Sequence, residues 1–178
     1  MASTKQAVDA IVRRIGFDPG RVSAVARVLT EAGELPSGAP GKSPELSPQH
    51  VTKLMVATAL DAPLRAVADT VGEYVALRRE GVPEGAPEGI GDTAGDVLDI
   101  LAEIAAAGST DAKARAANTI ITVVNSWPET VLVDPIDTRR FSAGEPGRWQ
   151  AYGHRKSVEI NGGAFVDVIN DLFGDHNA

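Results

Sequence analysis

The chain has 178 residues, 43% of them hydrophobic and only 4% aromatic, so its core must be built from Ala, Val, Leu and Ile. A net charge of −7 speaks against diffuse affinity for nucleic acid, and the absence of cysteine excludes disulfides and thiolate metal sites. No apolar run reaches the about 18 residues of a membrane span, and the Met1-Ala2-Ser3-Thr4-Lys5 start lacks the apolar segment of a signal peptide, so the expected location is the cytoplasm.

In chain order, the first predicted helix runs from Ser3 or Thr4 to Ile15, with Ala7, Ile11, Val12 and Ile15 on its apolar face. Gly16-Phe17-Asp18-Pro19-Gly20 breaks it. A second helix is expected from about Arg21 to Gly33, with Val22, Val25, Ala26 and Leu29 buried and Ser23, Arg27 and Thr30 on the other side. Residues 34–46 are rich in Pro and Gly and are not helical by composition. Ser47-Pro48 is a strong helix start, and Val51, Leu54, Met55 and Thr58 define the next buried face. A further helix is expected over Ala62 to Arg79.

Residues 81–91 have linker composition and mark the expected boundary between a 1–80 domain and a 92–178 module. The second part begins with a helix capped by Asp92 or Thr93 and ended by Gly108. The β-branched runs Thr119–Val124 and Thr130–Val133 flank Asn125-Ser126-Trp127-Pro128 and predict a hairpin. Short strands are expected at 139–141, 149–152 and 157–160, then a helix after Gly162-Gly163. The expected class is therefore α+β.

Charge is uneven along the chain. Residues 1–53 hold seven Lys/Arg against five Asp/Glu, residues 54–108 three against ten, and residues 109–178 seven against nine. Two short helices with a five-residue break have the spacing of a helix-turn-helix. In that arrangement Ser23, Arg27 and Thr30 face bases or phosphates, and Arg27 is positioned to bind guanine bidentately. Arg21 lies at the helix start, where backbone N–H groups favour phosphate. Lys42 on the Pro/Gly excursion reaches the DNA backbone or minor groove, and Gln49 in the first turn of the third helix completes the set.

The phrase Val25-Ala26-Arg27-Val28-Leu29-Thr30-Glu31-Ala32-Gly33-Glu34-Leu35-Pro36, followed by a wing-like excursion, resembles winged-helix DNA-binding proteins of phage and prophage type. The resemblance covers roughly residues 4–60, with Glu34 where such proteins carry an apolar residue. It implies a role as an oligomeric transcriptional regulator on double-stranded DNA, or as a small packaging subunit that recognises viral DNA. The rival reading is a protein-interaction or assembly module without DNA contact, favoured by the acidic centre. The C-terminal module is a candidate partner-binding or oligomerisation part.

Other constellations are weak. His50, His154 and His176 have no ligand spacing, so no metal or cofactor is expected. No nucleophile, acid–base pair or phosphate loop stands out, so no enzymatic activity is expected. Gly162-Gly163 before a helix is compatible with an anion site but reads more simply as a turn. Arg139, Arg140, Arg148, Arg155 and Lys156, interleaved with Phe141, Trp149 and Tyr152, form either a stacking surface for nucleic acid or a charge-protected sheet edge.

Overall fold

Side-chain caps set the starts of all the described α-helices but the one at Val67–Val75, which follows a 3₁₀ turn. The computed structural model describes residues 2–38, 44–81, 89, 91–143 and 153–174. Helix α1 (Thr4–Ile15) begins with a reciprocal capping box between Ser3 and Gln6 and ends at Gly16, whose φ of 84° favours glycine. Helix α2 (Pro19–Glu31) starts two residues before the expected Arg21, because the Asp18 carboxylate accepts from the Arg21 backbone N–H and Pro19 suits the first turn. It buries Val22, Val25, Ala26 and Leu29 as its spacing requires.

Among the described residues between α2 and α3, no strand pair forms. Leu46 instead makes an isolated bridge to Ala2, its N–H donating to the Ala2 carbonyl at 2.8 Å. Helix α3 (Pro48–Ala59) opens on a capping box between Ser47 and His50 and is buried on nearly all sides, which makes it the central helix. The stretch expected as one helix over 62–79 is shorter. A 3₁₀ turn at Leu64–Ala66 leads into α4 (Val67–Val75). Residues 78–80 then run beside a sheet strand, where the Ser142 N–H donates to the Arg78 carbonyl and the Glu80 N–H to the Arg140 carbonyl.

Helix α5 (Ala94–Ala107) is capped by Thr93, and α6 (Thr110–Ala117) by Ser109. Strands β1 (Ile120–Val124), β2 (Glu129–Val133), β3 (Thr138–Ser142) and β4 (Ser157–Asn161) form an antiparallel sheet in the order β3-β2-β1-β4. Helix α7 (Gly162–Phe173) closes the described chain. The strand expected at 149–152 lies outside the described residues. The chain is thus α+β, with its sheet in the C-terminal part.

The register aligns Ile121 with Leu132 on one side and Ile160 on the other, all three buried. Helix α7 packs on α1, α5 and α6, and α5 packs on α3. One buried cluster consequently runs from Ala7 and Ile11 through Leu54 and Leu98 to Val168 and Ile169. Residues 1–80 and 92–178 share this core. Truncating a side chain at its centre, such as Leu54, costs about 2–5 kcal/mol. Among the described residues, no helix is long and apolar enough to cross a membrane.

Candidate functional site

Ser23, Arg27 and Thr30 come together as expected, along a groove of about 560 Å³ between α1 and α2. The groove is not basic. Lys5 and Arg27 line it with Asp9 and Glu31, so its charges balance. Arg27 is exposed and lies 3.8 Å from Glu31 one turn on, a pairing of little energetic consequence. The Thr30 hydroxyl turns back to the Ala26 carbonyl at 2.8 Å.

The other residues expected to contact DNA lie elsewhere. The Arg21 guanidinium donates to the Ala62 carbonyl at 2.5 Å, pinning the start of α2 to the turn after α3. Gln49 donates to Glu103 on α5 at 3.3 Å. Lys42 lies outside the described residues.

A second cleft, of about 530 Å³, opens between α3 and α5 beside Glu34, His50, Lys53, Asp96 and Asp99. Its groups are largely spent on the fold. Lys53 pairs with Glu34 at 2.7 Å. The Ser47 hydroxyl and His50 Nδ1 are 3.0 Å apart, a spacing that suits nucleophile activation, yet both atoms serve the helix cap. Nδ1 accepts the Ser47 backbone N–H at 3.0 Å, and the Ser47 hydroxyl accepts the His50 N–H at 3.4 Å. Burial, aided by the charge of Lys53, pushes the imidazole below its ordinary value. Burial raises the Asp99 carboxyl, and Lys53 partly offsets it. Among the described residues, no group of three His, Asp or Glu could hold a metal ion.

The Gly162-Gly163 turn is also internally satisfied. The Asn161 side chain accepts from the Gly163 and Ala164 N–H groups, and the Gly162 N–H donates to the Thr119 carbonyl at 2.7 Å. A Cβ at Gly162 would collide with the carbonyls of Ala116 and Thr119. This glycine is there for close packing between α7 and the end of α6.

The described part of the basic and aromatic segment organises the sheet. Arg140 and Arg155 both donate to Glu129, at 2.9 and 3.2 Å, and the Trp127 indole N–H donates to the same buried carboxylate at 2.5 Å. Phe141 is fully buried in the core. Arg139 and Arg140 lie on β3, last in the four-strand order, but its outer edge is covered by residues 78–80, so it is not an open edge guarded by charge.

The surface feature that no motif announced is apolar. Among the described residues, the large hydrophobic side chains left exposed are Ile136 (78%), Ile120 (42%), Ile100 (37%) and Val133 (36%). Two of them meet at one groove. Ile100 and Ile136 line a groove of about 510 Å³ between α5, α6 and the β2–β3 loop, together with Ile104, Ala112 and Ala116. Ile120 and Val133 are cross-strand partners that point away from the buried Ile121 and Leu132, on the other face of the sheet.

Two arginines border this groove. Arg139 is held to Asp134 at 3.1 Å, and its Nε is buried without a hydrogen-bond partner. Arg115 stands near enough to help hold the Asp134 carboxyl below its usual range, an effect led by the Ile136 N–H, but closes no ion pair. The loop is stiffened by that carboxylate, which accepts the Ile136 and Asp137 N–H groups at 2.8 and 2.9 Å. Ile136 is therefore presented to solvent from a braced turn. A signal for it was present in the sequence: an isoleucine between Pro135 and Asp137, in a turn where polar residues are the rule.

No protein-family model, curated protein or solved structure matches this chain.

Proposed function

We propose that this protein is an assembly module that works by protein contact through the groove between α5, α6 and the β2–β3 loop. The observation that carries this reading is that Ile136 and Ile100, two of the four large apolar side chains left exposed among the described residues, line one groove. A concentrated apolar patch with a polar rim is the common mark of a protein-binding face. The reading needs no catalytic group.

A second reading keeps the expected role as a phage-type DNA-binding protein, regulator or packaging subunit. It is favoured by the exposed Ser23 and Arg27 on α2. Against it stand the balanced charge of the α1–α2 groove and the engagement of Arg21 and Gln49 within the fold. Backbone binding draws on several uncompensated cations.

Gel filtration of nuclease-treated extract from the cells that make the protein separates the two. The wild-type chain is expected to elute larger than a monomer, and Ile136→Asp to elute as a monomer. Elution unchanged by Ile136→Asp, or a fall to monomer size on nuclease treatment, would overturn the reading.

A further inference from the structure

We infer that the occupant of this groove is a second copy of the chain, related by a two-fold axis, with α6 lying antiparallel to its counterpart. The inference rests on the proposed docking role of the groove and names its partner.

A two-fold interface must be self-complementary: every protrusion needs a hollow, and every cation an anion, within the same patch. This patch has both. Ile136, 78% exposed on a braced loop, is the protrusion. The hollow is the apolar trough floored by Val97, Ile104, Ala112 and Ala116. One turn of helix separates Ala112 from Ala116, so they share a face of α6, and their small side chains let a second helix approach closely.

The charges on α6 follow the same logic. Asp111 in its first turn and Arg115 in its last turn are both exposed and stand four residues apart on one face. Among the described residues no ion pair closes between them, and Arg115 acts on Asp134 only at longer range. Two copies of α6 laid antiparallel across an axis set Asp111 of each against Arg115 of the other. A parallel arrangement would oppose like charges. An unrelated partner would not require acid, base, protrusion and hollow to stand together on one patch.

Sedimentation equilibrium of the purified protein tests this. The wild type is expected to form a dimer within the range up to about 200 µM, appropriate to a modest interface. Ile136→Asp is expected to raise the dissociation constant about tenfold or more, as loss of a central apolar anchor does. Asp111→Arg places two cations on this face of each α6, and Arg115→Asp two anions, so each variant by itself is expected to be monomeric. Mixing the two is expected to restore a dimer containing one chain of each.

Circular dichroism establishes that the variants are folded. A wild type that stays monomeric throughout, a dimer indifferent to all three substitutions, or charge variants that fail to associate when mixed would each overturn the inference. A purified monomer accompanied by an Ile136-dependent complex in extract would remove the second copy as occupant and leave the docking role standing.

Discussion

Arg14 on α1 grips Asp171 on α7 with a two-pronged contact, Nε to one carboxylate oxygen and Nη2 to the other, both at 2.9 Å. Arg13 reaches the same carboxylate at 2.7 Å. The contact joins the first helix of the chain to the last and borders the core that they share. Paired guanidinium hydrogen bonds hold the Asp171 carboxyl below its ordinary range. Its stabilising contribution is therefore full above the unfolded value of about 3.9 and is lost as pH falls through the lower folded value. Asp171→Asn is expected to lower stability by about 1 kcal/mol at neutral pH. Urea unfolding at pH 7 and between about pH 2 and 4 checks this, since the wild-type advantage must vanish at the acid end.

Tyr74 fixes α4 to the sheet. Its hydroxyl donates to the Val124 carbonyl, with the Trp127 carbonyl at 2.9 Å sharing the proton, so it braces both ends of the β1–β2 turn. Burial pushes the phenol up to about 12, with the charges of Glu73 and Glu129 adding to the effect. Removing the hydroxyl leaves two carbonyls without this donor, and Tyr74→Phe is expected to cost about 1–3 kcal/mol in denaturant unfolding. Because the folded value is raised, the contribution is present below about pH 10 and is lost as pH climbs towards the folded value. Tyr74→Phe should lack that part of the alkaline loss.

Asp99 has the opposite sign from Asp171. Burial on α5 raises its carboxyl, so the folded state holds the proton more tightly than the unfolded chain does. Stability therefore falls as pH rises through the interval above about 3.9. Asp99→Asn is expected to raise the melting temperature at pH 7 and to leave it unchanged near pH 3. A melting temperature lowered at pH 7 would show that the carboxylate has a stabilising role.

Arg21 and Arg27 separate structural from free cations on one helix. Arg27→Ala removes an exposed side chain whose nearest partner is 3.8 Å away, and stability should change by less than about 0.5 kcal/mol. Arg21→Ala removes the bond to the Ala62 carbonyl and is expected to cost about 1–2 kcal/mol. Thermal unfolding of the two variants side by side measures the contrast.

Much of this architecture is legible in the residues. Ser3, Ser47 and Thr93 announce their helices because a capping side chain and the apolar spacing behind it act locally. The β1–β2 hairpin follows from β-branched runs around a turn. Helix α6 is not legible, because an Ala-rich segment with few large apolar residues carries almost no periodic signal. The shortened α4 escapes for another reason: its helical pattern continues through residue 79, but pairing of 78–80 with β3 overrides local propensity.

The same limit applies to the candidate site. Local pattern brought Ser23, Arg27 and Thr30 to one face correctly, since helix geometry fixes it. It could not foresee that Arg21 and Gln49 engage Ala62 and Glu103, which lie 41 and 54 residues away. The apolar groove draws its walls from α5, α6 and the β2–β3 loop, and no short window of sequence contains all three.

The most direct test is site-specific photo-cross-linking in the cells that make the protein, with the reactive group placed at Ile136 in one variant and at Ser23 in another. The assembly reading predicts protein adducts from Ile136 and none from Ser23. DNA adducts from Ser23, with no protein adduct from Ile136, would contradict it.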